Sequence, residues 1–145
     1  ILRGDGYYYE AWSYDYVFAA AGGGDNDDRA YLYDTPGNDR FFARPGYSYL
    51  RGDGHYNQAR GFDFVFAYAT YGGNDMAWLN DSAGNDLFYS RPGYSYFRGG
   101  GYYNQATGFD YVAVRSVVGG NDAAVGKQST VPGISSASNS SRMLR

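Results

Sequence analysis

Six residues, Arg44-Pro45-Gly46-Tyr47-Ser48-Tyr49, return unchanged as Arg91-Pro92-Gly93-Tyr94-Ser95-Tyr96, an offset of 47. The same offset carries Gly61-Phe62-Asp63-Phe64-Val65 to Gly108-Phe109-Asp110-Tyr111-Val112, and Gly72-Gly73-Asn74-Asp75 to Gly119-Gly120-Asn121-Asp122. An earlier copy stands 48 residues back: Leu2-Arg3-Gly4-Asp5-Gly6 precedes Leu50-Arg51-Gly52-Asp53-Gly54, and Tyr14-Asp15-Tyr16-Val17-Phe18 precedes Phe62-Asp63-Phe64-Val65-Phe66. The extra residue falls in the turn between Gly22 and Asp28, where insertions settle without disturbing packed elements. Self-similarity at such a period marks a repeat architecture, in which each unit buries its apolar face on the next.

The repeat divides the chain. Residues 1–125 form a tandem-repeat domain, made of a partial repeat (1–28) and two full ones (29–75 and 76–122); residues 126–145 are a separate tail. The pattern opens in mid-repeat and lapses after Val125, where Gly126 stands in the place of Leu79. This reads as a piece of a longer array, or as a subunit whose ends a neighbour completes. From Ser129 to Ser141 the chain is Ser-rich, with Pro132 and Gly133, and is too polar to bury a core, which predicts a flexible tail.

Composition decides the secondary structure of the unit. There are 22 Gly and 18 Tyr but one Glu (Glu10) and one Lys (Lys127), so straight-chain helix formers are nearly missing. All the other acids are Asp, a turn and cap residue, and aromatics reach 20%, which suits a pleated surface. Comparing the copies separates two faces. Asp63, Val65, Ala67 and Ala69 become Asp110, Val112, Val114 and Ser116 in the later copy, and Asp15, Val17, Ala19 and Ala21 in the earlier one. Those narrow residues predict an inner face, as do Ala30, Leu32 and Asp34 with Ala77, Leu79 and Asp81, and Ser48, Leu50 and Gly52 with Ser95, Phe97 and Gly99. The opposite parity, including Phe62, Phe64, Tyr47, Tyr49, Tyr94 and Tyr96, is broad, aromatic and accompanied by Arg, and is expected outside.

About four short strands per unit predict an all-β fold: a parallel β-solenoid with two coils of about 23 residues per repeat, or alternatively β-propeller-like blades. A solenoid would stack Tyr47 on Tyr94, Tyr16 on Phe64 and Tyr111, and Arg3 on Arg51 and Arg98 as outer ladders.

The pattern Gly72-Gly73-Asn74-Asp75, Ala77-Trp78-Leu79, Asp81-Ser82-Ala83-Gly84-Asn85-Asp86, Arg91-Pro92, Ser95-Tyr96-Phe97 and Gly108-Phe109-Asp110-Tyr111-Val112 resembles tandem repeats of very long surface proteins of planctomycete-like bacteria. The resemblance covers about residues 1–125 and implies an extracellular or cell-surface address and a scaffold role. A weaker likeness is to the calcium-binding nonapeptide repeats of RTX-type β-solenoids, through Gly-Asn-Asp at 37–39 and 84–86, although the element does not recur every nine residues here.

Several residues are candidates for chemistry. Acidic turns around Asp25, Asp27 and Asp28, with Asp39, Asp75, Asp86 and Asp122, could hold calcium through carboxylate and carbonyl oxygens; equally, Asp serves turns of this kind as a backbone acceptor. Asp15, Asp63 and Asp110 fall on the inner parity, and are expected to accept turn N–H bonds rather than to act as a paired glycosidase acid and base. His55 has Tyr7 and Tyr102 in its equivalent places and reads as an outer aromatic position. No nucleophile–His pairing is present, so catalysis is not expected. Tyr47, Tyr49, Phe64, Tyr94, Tyr96 and Tyr111 offer rings for self-association or for stacking on glycans. Asn80 and Asn139 fit the N-glycosylation pattern. Residues 1–125 carry nine Arg against fifteen acids, and this acidic body argues against nucleic acid. No apolar run is long enough to span a membrane. The expected role is a structural subunit of an extracellular filament or surface layer, associating end to end. A carbohydrate- or calcium-dependent adhesin module is the alternative, and a polysaccharide-active enzyme stands behind both.

Overall fold

The computed structural model describes residues 1–4, 7–11, 15–22, 27–115 and 119–126. Among these there is no helix, as the shortage of helix formers dictates. The partial repeat gives β1 (Leu2–Gly4), β2 (Tyr7–Tyr9) and β3 (Tyr16–Ala20). The first full unit gives β4 (Arg29–Tyr33), β5 (Arg40–Arg44), β6 (Tyr47–Gly52), β7 (His55–Arg60) and β8 (Phe64–Tyr68). The second gives β9 (Met76–Asn80), β10 (Leu87–Arg91), β11 (Tyr94–Gly99), β12 (Tyr102–Thr107) and β13 (Tyr111–Arg115), and β14 (Ala123–Gly126) follows. Each full unit thus has five strands, one more than the copies suggested.

The strands form two mixed sheets, one ordered β14-β10-β11-β12-β8-β4-β1-β2 and the other β13-β9-β5-β6-β7-β3, and neither closes on itself. Within a unit the middle three strands are an antiparallel meander. Arg44 pairs with Tyr47 across Pro45-Gly46, and Gly52 with His55 across Asp53-Gly54. Pro fixes φ at the first turn position, and Gly46 supplies the positive φ of 70° that follows. The strands flanking the meander lie in the opposite sheet, so the chain crosses between sheets three times per unit: β4 to β5, β7 to β8, and β8 to β9.

An odd number of crossings puts each unit's strands in the sheet opposite to that of their equivalents in the next. The β5–β7 meander belongs to the six-stranded sheet and its copy β10–β12 to the eight-stranded one. The expected ladders therefore do not form: Tyr47 and Tyr94 lie in different sheets, as do Tyr16 and Phe64, and Arg51 and Arg98. Nor do the registers follow a coil of about 23 residues. Parallel neighbours are 35 to 40 residues apart, from Arg29 opposite Phe64 and Met76 opposite Tyr111 to Tyr16 opposite Tyr56.

The predicted inner face is the core. Leu32, Val65 and Phe97 from one sheet and Phe41, Leu50 and Leu79 from the other are buried in a single cluster with Ala30, Ala43, Ala67 and Ala77. Alanines let the sheets approach and the few large rings fill the remaining width. Phe62, expected outside, is buried instead, as is its copy Phe109. They precede β8 and β13, where the chain is still crossing between sheets and strand alternation does not yet apply; Phe109 packs on Phe41 with ring centroids 5.9 Å apart.

Phe97 has no exposed surface and packs against Phe88. Phe97→Ala is expected to cost about 3–5 kcal/mol in urea unfolding, whereas Tyr71→Ala, at a position 64% exposed, is expected to stay within about 0.5 kcal/mol of the parent.

Candidate functional site

The crossings bring the aspartates together. The connection from Asp34 to Asp39, which joins β4 to β5, lies against the connection from Ala69 to Asp75, which joins β8 to β9. Asp34 Oδ2 accepts the N–H groups of Thr70 (2.8 Å) and Tyr71 (2.9 Å), and Asn38 Oδ1 accepts that of Asn74 (2.9 Å). Asp75 Oδ1 accepts the N–H of Asp39 (2.8 Å), while the Asp75 N–H is itself donated to Asp110 Oδ2 (2.8 Å). The arrangement recurs one unit on. Asn85 Oδ1 accepts the N–H of Asn121 (2.8 Å), and Asp122 Oδ1 that of Asp86 (3.1 Å). Crossing segments leave the strand ladder, so side chains supply acceptors for their N–H groups beside backbone carbonyls such as that of Gly72, which accepts from Gly37 at 3.2 Å.

Two triads result. Carboxylate oxygens of Asp34, Asp39 and Asp75 lie within 4.8 Å of one another, as do those of Asp81, Asp86 and Asp122, and all six residues are buried. Carboxylate oxygens are the hard donors that a calcium ion takes, and three of them would supply part of its set of about six to eight. Within the fold they are also engaged by donors. Asp39 Oδ2 accepts from the Thr35 N–H at 3.2 Å, and Asp86 Oδ2 from that of Ser82 at 3.0 Å.

Four of the seven predicted metal residues, Asp39, Asp75, Asp86 and Asp122, belong to the triads. Asp27 is exposed and paired with Arg29, and Asp28 is buried elsewhere, its N–H donated to Asp63 Oδ2. Asp25 lies outside the described residues. Asp63 and Asp110 accept turn N–H groups as expected, but Asp15 and Asp110 are exposed and Asp63 is half-buried, so these aspartates do not lie on the inner face. Asp34 and Asp81 complete the triads and were not among the candidates, although their inner parity and their equivalence were visible.

His55 was read as an outer position and is not one. Its side chain is only 8% exposed, with Nε2 at 3.3 Å from Asp39 Oδ1 and Nδ1 at 3.2 Å from Thr35 Oγ1. Its counterpart Tyr102 donates its hydroxyl to Asp86 Oδ1 at 2.9 Å. Burial, and then that hydrogen bond, push the Tyr102 hydroxyl up, which keeps it a donor. What His and Tyr share here is a polar tip that reaches a buried carboxylate. Space for that carboxylate comes from glycine: a Cβ on Gly52 would stand 1.9 Å from Asp39 Oδ1, and one on Gly99 1.8 Å from Asp86 Oδ1.

The outer aromatics form rows across the strands. Phe42, Tyr49 and Tyr56 stack in one sheet at 5.3 and 5.4 Å, and Tyr89, Tyr96 and Tyr103 in the other at 5.2 and 5.1 Å. Both faces of Tyr49 and Tyr96 are thus covered by neighbouring rings. Arg44 and Arg60 lie over Tyr47, Arg91 over Tyr94 and Arg29 over Phe64. The Tyr47 and Tyr56 hydroxyls meet at 3.2 Å, and burial followed by that contact pushes Tyr56 up to about 12. Tyr111 is half-buried on the same sheet as Tyr47, so the six predicted interface residues are split between two faces. Asn80 is half-buried and donates its Nδ2 to the Ala43 carbonyl at 3.0 Å; Asn139 lies outside the described residues.

No protein-family model, curated protein or solved structure matches the chain.

Burial raises both Asp39 and Asp75 above the usual carboxylate range. The Thr35 N–H and then His55 oppose the rise in Asp39, and the Asp39 N–H opposes it in Asp75. A raised folded-state value means that the folded chain binds protons more tightly than the unfolded one. The resulting stabilisation is fully present below the unfolded value of about 3.9 and is lost as pH rises through the raised values. In chelator-containing buffer, urea midpoints measured upward from about pH 4 are expected to fall less for Asp39→Asn than for the parent.

Proposed function

We propose that this chain is a structural repeat module of an extracellular filament or surface layer, built as a flattened β-solenoid whose coils stack along one axis. The observation that carries this reading is the corner motif. Equivalent Asp and Asn acceptors bind equivalent backbone N–H groups at 38–39 against 74–75 and again at 85–86 against 121–122. A motif that recurs in each unit with an exchange of sheets, with parallel strands on either side, suits indefinite stacking. The buried carboxylates are occupied in holding this backbone, which supports a scaffold role over a catalytic one. The extracellular address rests on the resemblance to bacterial surface repeats.

Glycan binding through ring stacking has less support, because the rings with the most regular spacing present edges rather than free faces. Calcium has a specific observation in its favour: three buried carboxylates converge in each of two consecutive units. The ion would sit among Asp34, Asp39 and Asp75, and among Asp81, Asp86 and Asp122, and would tie adjacent coils.

Negative-stain electron microscopy and light scattering of the purified chain test the scaffold reading; filaments of constant width are expected, and discrete particles alone at high concentration would sink it. Calcium is tested by thermal melts with the ion and with chelator. Binding to the folded form alone stabilises by about 2.7 kcal/mol at a hundredfold excess over Kd, and an unchanged midpoint would remove the ion from the proposal.

A further inference from the structure

The edge strands at the two ends of the stack are complementary in type. Strand β8 has a complete set of neighbours: β12 on one side and β4 on the other, both parallel. Its equivalents β3 and β13 have one neighbour each among the described residues. For β3 this is β7, so among the described residues no β4-type strand lies beside it. For β13 it is β9, so among the described residues no β12-type strand lies beside it. Strands of the missing types stand at the opposite edges of the eight-stranded sheet. β14 is the copy of β4 and β9, and has β10 alone as neighbour; β2 is the copy of the first half of β7 and β12, and has β1 alone.

Resting on the stacking reading, we infer that a second copy of this chain docks head to tail, its β3 pairing in parallel with β14 and its β2 in parallel with β13, after a half-turn about the stacking axis. The registers transfer directly. Ala30 faces Val65 and Tyr31 faces Phe66 between β4 and β8, which sets Ala124 opposite Val17 and Val125 opposite Phe18 of the second copy. Tyr103 faces Phe64 between β12 and β8, which sets Tyr8 of the second copy opposite Tyr111.

Two independent features agree with this. First, β14 lies in the eight-stranded sheet and β3 in the six-stranded one, while β13 and β2 are placed the other way round. Both contacts therefore demand the same exchange of sheets, and it is the exchange that already relates successive units within the chain. Second, five of the seven exposed large apolar side chains among the described residues lie on these strands: Tyr8 (59%), Tyr9 (65%), Tyr16 (66%) and Phe18 (68%) at one end, and Val125 (51%) at the other. Phe66, the internal copy of Phe18, is half-buried between Tyr31 at 5.0 Å and Tyr103 at 5.6 Å. In the docked pair Val125 takes the place of Tyr31 against Phe18. A cleft of about 960 Å³ also opens between the sheets at the β2–β3 end, lined by Leu2, Val17, Ala19 and Leu32. The half-buried inner residues Val112, Val114 and Ala124 of the other end face it in this arrangement. An end-to-end contact between unlike surfaces generates open filaments.

The chain has no cysteine, so introduced thiols report single contacts. Phe18→Cys and Val125→Cys chains, mixed and oxidised, are expected to give a disulfide-linked dimer that neither variant gives alone. Tyr8→Cys with Tyr111→Cys is expected to do the same and tests the second strand pair. Neighbouring strands place Cα atoms within the range of about 4.4–6.8 Å that a disulfide spans. Chains that assemble by light scattering but cross-link only like with like would overturn this pairing and leave the filament reading standing. Chains that stay monomeric under all conditions would overturn both.

Discussion

Every time this chain leaves one sheet for the other it strips a run of backbone N–H groups of their ladder partners, and the fold depends on how those groups are satisfied. At the β4–β5 and β8–β9 crossings many of the acceptors are carboxylates and amides of a neighbouring connection: Asp34 for Thr70 and Tyr71, Asp75 for Asp39, Asp110 for Asp75, Asn38 for Asn74. At the β7–β8 crossing they are backbone carbonyls, Gly46 for Gly61 and Asp28 for Asp63. A buried donor left unmet costs about 1–3 kcal/mol, so the crossings hold together only if each connection brings its acceptors to the next. That requirement explains the near-exclusive use of Asp among the acids. Its short side chain reaches a neighbouring backbone across one strand spacing, whereas Glu would overshoot.

The same requirement gathers three carboxylates at one corner, where burial disfavours the charge of Asp39 and Asp75. Hydrogen-bond donors offset part of that cost: backbone N–H groups, the hydroxyls of Thr35 and Ser82, and Tyr102. His55 beside Asp39 supplies a further polar neighbour. A proton or a cation offsets more, which links the stability of the corner to pH and to the proposed ion. Gly52 and Gly99 belong to this corner rather than to a turn, since they leave the volume that the Asp39 and Asp86 carboxylates occupy.

Three crossings per unit have a consequence for the surface. Because the number is odd, aromatic positions that are equivalent in sequence decorate opposite faces, and each row is assembled from non-equivalent residues, such as Tyr31 with Phe66 and Phe66 with Tyr103. Rings 5.0 Å to 5.6 Å apart, close to the strand spacing, pack on each other across strands and hold register. Stabilising the sheet in this way uses up ring faces that a ligand would need.

The sequence by itself determined the class, the strands and their faces. Few helix formers, period-two alternation and Gly-Asp-Asn turns are local signals, and Val65, Ala67, Leu50 and Phe97 are buried where parity put them. The Pro45-Gly46 and Pro92-Gly93 hairpins were legible too, and reading them as hairpins would have given five strands per unit. Tertiary structure alone decided which strands are neighbours, because every strand of this chain carries the same alternation and none encodes its partner. It alone placed Phe62 and Phe109 in the core, turned His55 inward, and brought Asp34 and Asp39 to Asp75, 36 residues on from Asp39. Such contacts are set by the count of crossings between two positions, a property of the chain's path rather than of any segment.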